Sequence, residues 1–206
     1  MTEDITTTTK STKRVVAVNT AAPKEHRSVI IASPGDSFCS EYLRSLTKTI
    51  RALEKAGISW TWINGESSLV HEAREVTLMS SANPVVPDSR EPVQGMFTYD
   101  RIVLIDSDIK WEVDAFMRLI ASPYPIVTGA YLRGDGVRST IITLEPESVV
   151  LAKDFIMKDI SGPMEIRACG LGFVAVAPGI FESLERPWFT YGFGTTYLPD
   201  GRPFSV

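Results

Sequence analysis

The sequence predicts an α/β domain built on a central mixed, mostly parallel sheet flanked by helices. Three observations carry that expectation. Short runs of apolar, β-branched residues alternate with helical-period segments through the first half of the chain. Those runs are continuous rather than alternating, as in strands covered on both faces. The second half is richer in strands, which makes a sheet begun by crossover helices a mixed one.

Residues 1–27 are expected to form a flexible tail. Thr6 to Thr9, Lys10, Lys13 and Arg14 have nothing to bury, and Ala21-Ala22-Pro23-Lys24 reads as a linker. Within the tail, Val15-Val16-Ala17-Val18 can add an edge strand. Residues 28–206 form the domain. Val29-Ile30-Ile31-Ala32 is its first strand, and Ser33-Pro34-Gly35-Asp36-Ser37 ends it with turn chemistry; Asp36 or Ser37 is expected to cap the next helix. That helix repeats Tyr42, Leu43, Leu46, Ile50 and Leu53 at helical spacing, and Gly57 closes it. Ser59 to Ile63 alternates as a strand with Trp60 and Trp62 read as core, and Asn64-Gly65 turns the chain. Leu69, Val70, Ala73 and Val76 mark a second helix capped by Ser67 or Ser68. Ser81 to Thr98, with three prolines and no periodicity, is a long loop.

Arg101-Ile102-Val103-Leu104-Ile105 is the strongest strand signal and runs directly into Asp106-Ser107-Asp108. A short helix over Trp111, Ala115, Phe116, Leu119 and Ile120 follows, then a buried-type strand from Pro125 to Ala130. Thr140 to Leu144 and Val149 to Leu151 read as a hairpin, and Ile166 to Cys169 and Gly172 to Ala177 as two more strands. Pro178 suits the first turn of a helix reaching Leu184.

Composition narrows the function. With 21 basic against 25 acidic residues the net charge is −4, and the pI is near 5.3. No basic face for nucleic acid is expected from that balance. Cys39 and Cys169, with His26 and His71, are too few for a disulfide framework or a Cys/His zinc centre. No apolar run reaches membrane-spanning length and the start lacks a signal-peptide pattern, so the expectation is a cytoplasmic protein without a transmembrane segment.

The sharpest chemical feature is Asp106-Ser107-Asp108. Carboxylates one residue apart on an extended segment project to the same side, and the carboxyl edge of a parallel sheet is where ligands of open α/β folds bind. Such a pair can hold a hard divalent cation, which bridges to phosphate oxygens and neutralises a departing diphosphate. A turn or helix-cap role for the same residues is the competing reading.

Four segments in order resemble the small GT-A fold glycosyltransferases, the Rossmann-like class that uses a nucleotide-sugar donor and an Asp-x-Asp motif. Val29 to Pro34 resembles the first strand and nucleoside loop, and Ser67-Ser68-Leu69-Val70-His71-Glu72-Ala73-Arg74 the helix start written Ser…Ala-Arg-Asn in many members. Tyr99 to Asp108 resembles the strand entering the metal motif, followed by Trp111 to Tyr131. Cys169-Gly170-Leu171-Gly172-Phe173 through Arg186-Pro187-Trp188-Phe189 resembles the Gly-rich strand and Pro-Trp-Phe ending.

The resemblance implies a metal-dependent transferase moving a sugar from a UDP- or GDP-linked donor to a hydroxyl acceptor on a glycan or similar molecule, with manganese ahead of magnesium as the cation. It places Ser33 and Pro34 against the nucleoside, Arg74 on the base or diphosphate, and Asp106 on ribose and metal. Asp108 would hold the metal directly, with Ser107 between the two carboxylates. Gly129, Tyr131, Cys169 and Gly170, with the stretch to Gly172, would line the sugar and acceptor side. On their own residues, Arg74 can equally be a solvated helix position, Cys169 a buried small side chain, and Trp188 and Tyr191 either a sugar platform or core anchors. Two departures stand out: Glu75 takes the place of the Asn after Ala-Arg, and the later acidic pair and histidine of relatives have no counterpart except Asp200. A truncated C-terminal end, or a nucleotide-sugar-binding module without turnover, is therefore the alternative; a haloacid-dehalogenase-like phosphatase is a weaker one.

Overall fold

A computed structural model describes residues 28–79, 90–134, 136–144, 149–151, 162–190, 195–197 and 203–205. The tail, Val15 to Val18, Tyr191 and Asp200 lie outside the described residues, as does the first part of the long loop.

The core is a five-stranded sheet. β1 (Ser28–Pro34) pairs in parallel with β2 (Ser59–Gly65) on one side and β3 (Arg101–Ile105) on the other. β8 (Phe173–Val176) runs antiparallel between β3 and β4 (Ile126–Thr128), so the order is β2-β1-β3-β8-β4. The sheet is thus mixed and parallel at one end. The remaining strands stay out of it: β5 (Arg138–Thr143), β6 (Val149–Leu151) and β7 (Ile166–Cys169) form a separate antiparallel sheet in the order β6-β5-β7. β9 (Thr195–Tyr197) and β10 (Pro203–Ser205) form a third, two-stranded one.

α1 (Ser40–Lys55), α2 (Val70–Met79) and α3 (Val113–Ala121) are the α-helices among the described residues. α1 buries Tyr42, Leu46, Thr49 and Leu53, a stripe at helical spacing that packs with Val29, Ile31, Val103, Phe116 and Ile120 on one face of the sheet. Each large apolar side chain so buried contributes about 1.5–3 kcal/mol. The other face packs Ile30, Ile102, Leu104 and Val174 with Leu78 of α2 and Phe181. Two covered faces explain why β1 and β3 read as unbroken apolar runs.

Several expectations are corrected. The cap of α1 is Cys39, whose thiol accepts from the Tyr42 N–H at 3.3 Å, rather than Asp36 or Ser37, because the chain first crosses the end of β3, where the Cys39 N–H meets the Ser107 carbonyl. Trp60 and Trp62 are not core: β2 is the outermost strand of the sheet among the described residues, and they remain 36 % and 39 % exposed. β4 likewise lies outermost, with Ile126 exposed. Trp111 precedes α3 instead of starting it, because the Ser45 hydroxyl holds both its N–H and its carbonyl and Thr49 accepts from its indole. No α-helix follows Pro178; Gly179 takes φ +87°, which a helix cannot continue, and only a 3-10 turn forms over Phe181–Ser183.

Candidate functional site

The parallel strands β1, β2 and β3 all finish at one edge of the sheet, as does β4, and β8 begins there. Apart from Arg74, which comes from a helix, the predicted site segments therefore have an end at this edge. Ser33-Pro34-Gly35 leaves β1, Asn64-Gly65 leaves β2, and Asp106-Ser107-Asp108 leaves β3. Gly129 to Tyr131 follows β4, and Cys169 to Gly172 joins β7 to β8.

Asp106 is the hub. Its N–H donates to the Gly172 carbonyl at 3.1 Å, and its carbonyl accepts from the Ile109 N–H at 3.1 Å, so Asp106-Ser107-Asp108 is a turn and not the extended segment expected, and strand alternation does not set the two carboxylates on one side. Its carboxylate meets the Arg74 guanidinium, with Nη2 2.9 Å from one oxygen and 3.0 Å from the other. Arg74 reaches it from α2, where Ser67 accepts from the Leu69 N–H at the helix entrance and donates to Glu72. The Arg74 Nε is buried and has no partner among the described residues. Asp108, in contrast, is exposed.

Tyr131 stands beside this pair. Its hydroxyl accepts from the Gly172 N–H at 2.8 Å, and its backbone carbonyl accepts from the Thr140 N–H. Burial pushes the phenol above the usual tyrosine range, and the nearby Asp106 charge pushes it the same way. Gly170 and Gly172 leave room for that hydroxyl: a Cβ at either would come within 2.5 Å of it.

The loop after β1 is clamped by groups the sequence did not single out. The Asn64 amide donates to the Ser33 and Gly35 carbonyls at 2.9 and 2.7 Å, and the Gly35 N–H donates to the Gly65 carbonyl at 2.9 Å. Gly35 adopts φ +138°, and a Cβ there would lie 2.9 Å from the Ser107 hydroxyl oxygen. An Asn-Gly pair at a strand end signals a turn, but nothing in its spacing reveals that the amide reaches the end of the preceding strand, β1.

The remaining predicted residues belong to the framework around the site. Ser33 and Pro34 are buried; the Ser33 hydroxyl is shared between the Tyr42 hydroxyl and the Trp62 indole N–H, and its carbonyl is taken by Asn64. Gly129 donates its N–H to the Phe173 carbonyl and lies against the Phe173 ring, which leaves no room for a Cβ. Cys169 is half-buried against the second core cluster, and burial raises its thiol above the ordinary cysteine value.

Glu75 is the other residue that sequence reasoning missed. It is buried, accepts from Arg186 Nε at 3.0 Å and from the Trp188 N–H at 2.8 Å, and so ties the chain after β8 to α2. Trp188 is a core anchor: its indole donates to the Phe181 carbonyl, its ring packs on Phe181, and the Arg186 guanidinium lies over it.

The donor set suits a divalent cation only together with a ligand. No third His, Cys, Asp or Glu joins Asp106 and Asp108 in a metal-binding group among the described residues, and Asp106 already carries a guanidinium. Magnesium and manganese accept such sparse protein donors when phosphate oxygens and water complete the shell. No helix among the described residues is long and apolar enough to cross a membrane. Compared with known protein families, curated proteins and solved structures, the chain matches none.

Proposed function

We propose that the chain binds a nucleotide-diphosphate sugar together with a divalent cation at the Asp106–Asp108 edge and transfers the sugar to a hydroxyl acceptor, as a GT-A type glycosyltransferase. The observation that carries this reading is the meeting of Arg74 from α2 with Asp106 from β3, beside exposed Asp108, where the parallel strands end. A cation-holding carboxylate pair and a guanidinium within reach are complementary to a diphosphate and its metal, and ligands of open α/β sheets settle at such an edge. The mixed order β2-β1-β3-β8-β4 supports it, because it brings Tyr131 and the Gly170-Leu171-Gly172 turn to the same edge as the carboxylates.

In this reading Asp108 and Asp106 hold the cation, which when bound neutralises charge gathering on the leaving diphosphate. Arg74 donates to phosphate oxygens with a fork that matches them. Tyr131 keeps the glycine turn in place through the Gly172 N–H, and Asn64 keeps the nucleoside side of the loop from opening. UDP and GDP are the donor classes expected, with a glycan or similar acceptor.

Calorimetric titration with UDP and GDP, in manganese and in EDTA, tests the reading. Metal-dependent binding is expected, and Asp108→Ala should weaken it by roughly tenfold or more, the loss of a charged ligand contact. No binding of either nucleotide to folded protein in manganese sinks the proposal. Binding without donor turnover over a long incubation would instead favour a binding module.

A further inference from the structure

Arg74 and Asp106 hold each other in a way that constrains how ligands enter. A single guanidinium nitrogen contacts both carboxylate oxygens, at 2.9 and 3.0 Å, with the two side chains 14 % and 27 % exposed. A cation approaching alone therefore meets one open carboxylate, Asp108, and a positive charge already seated on the other. A diphosphate approaching alone meets a guanidinium whose charge is cancelled by Asp106. Each partner finds the site half closed.

We propose that Arg74 is a displaceable internal cation: it occupies Asp106 in the free chain and transfers to phosphate oxygens when a diphosphate enters with its metal. Divalent cation and diphosphate then bind as a coupled pair. The inference rests on reading Asp106 and Asp108 as the cation-holding carboxylates. Two features support it. The Arg74 Nε is buried without a partner among the described residues, so the guanidinium keeps a donor that Asp106 does not use. An unmet buried donor is costly, and an anionic oxygen relieves that cost. The next residue, Glu75, is bonded to Arg186 and to the Trp188 N–H, so α2 is anchored and the movement falls to the long Arg74 side chain. The switch responds to phosphate charge and not to the base, so pyrophosphate should operate it and uridine should not.

The test uses manganese, pyrophosphate and uridine as probes and reads free manganese by electron paramagnetic resonance, after subtracting the metal–pyrophosphate complex that forms in buffer. In the wild-type chain pyrophosphate should tighten manganese binding by roughly tenfold or more, the usual size of a site-to-site coupling, and uridine should leave it unchanged. Arg74→Gln should bind manganese alone at least about tenfold more tightly than wild type, because Asp106 is released. Asp106→Asn should bind metal-free pyrophosphate more tightly, because Arg74 is released. The variants act on opposite ends of the pair, so either one decides if the other fails to fold. Unchanged or weaker binding in these assays overturns the displacement. Manganese binding that is equal with and without pyrophosphate overturns the coupling but leaves the carboxylate site standing. No manganese binding under any condition overturns the proposed function and this inference together.

Discussion

Gly172 shows how little space a residue near the site has. A methyl group there would lie 2.5 Å from the Tyr131 hydroxyl and 2.8 Å from an Asp106 carboxylate oxygen. Both neighbours are engaged, the first by the Gly172 N–H and the second by Arg74, so neither can step aside without breaking a bond. Gly172→Ala is expected to cost about 1–3 kcal/mol of stability and to abolish detectable diphosphate binding, since it displaces the carboxylate itself. Thermal melts and calorimetry measure the two effects. Gly162→Ala, where a Cβ meets nothing within 4 Å, is the control. Equal behaviour of the two variants would show that the glycine turn is not a constrained part of the site. The need for small residues in Gly170-Leu171-Gly172 was legible in the sequence, but what demands them, the tyrosine forty-one positions earlier in the chain, was not.

At the scale of elements, α2 is the piece that turns a sheet edge into a charged site. Its own packing is modest: it buries Ala73, Glu75, Thr77 and Leu78, and Thr77 returns its hydroxyl to the Ala73 carbonyl. What seats it is the ion pair between Glu75 and Arg186, with the Trp188 N–H as a further donor. Removing the charge from one partner of a largely buried pair leaves the other uncompensated, so Glu75→Gln is expected to destabilise the fold by about 2–3 kcal/mol. It should also weaken diphosphate binding indirectly, through Arg74. Urea unfolding and calorimetry on the same variant check both, and a change in urea midpoint indistinguishable from wild type would refute the anchoring role. As a sequence, Glu75 looks only like a departure from the Asn of the family it resembles. Its partner lies over a hundred residues away, and pairings at that distance leave no periodic trace.

For the molecule as a whole, the buried phenols set the alkaline limit. Tyr42, Tyr99 and Tyr131 are all raised above the ordinary value of 10.0, each by burial first; the Glu182 carboxylate adds to it for Tyr99. An acid with a raised value in the fold keeps its proton where the unfolded chain has lost it. The contribution to stability is therefore complete below about pH 10 and disappears as pH climbs through the folded values. The urea midpoint should fall steeply above about pH 10, together with rising tyrosinate absorbance. Tyrosines that ionise at the ordinary value in the folded chain, with no loss of stability, would contradict it. This limit depends on two cores that meet the sheet on opposite faces: Tyr42 belongs to the first cluster, and Tyr99 packs against the second.

The sequence by itself determined the strands and helices of the first half, the α/β character and the position of Asp106 and Asp108 at a strand end. These follow from local rules: apolar runs, helical spacing and turn residues act within about ten positions of one another. It also named Arg74, Tyr131 and Gly170 as candidates, through resemblance. Only the tertiary structure decided that Trp60 and Trp62 stay exposed on the outermost described strand, that β5 to β7 leave the central sheet, and that Pro178 starts no α-helix. It alone showed Arg74 seated on Asp106, Asn64 clamping the β1 loop and Glu75 holding the Trp188 segment. The reason is physical: strand order and ion pairing are settled by which distant surfaces can be buried together, and side-chain patterns record that a surface is apolar or charged without recording what it will meet.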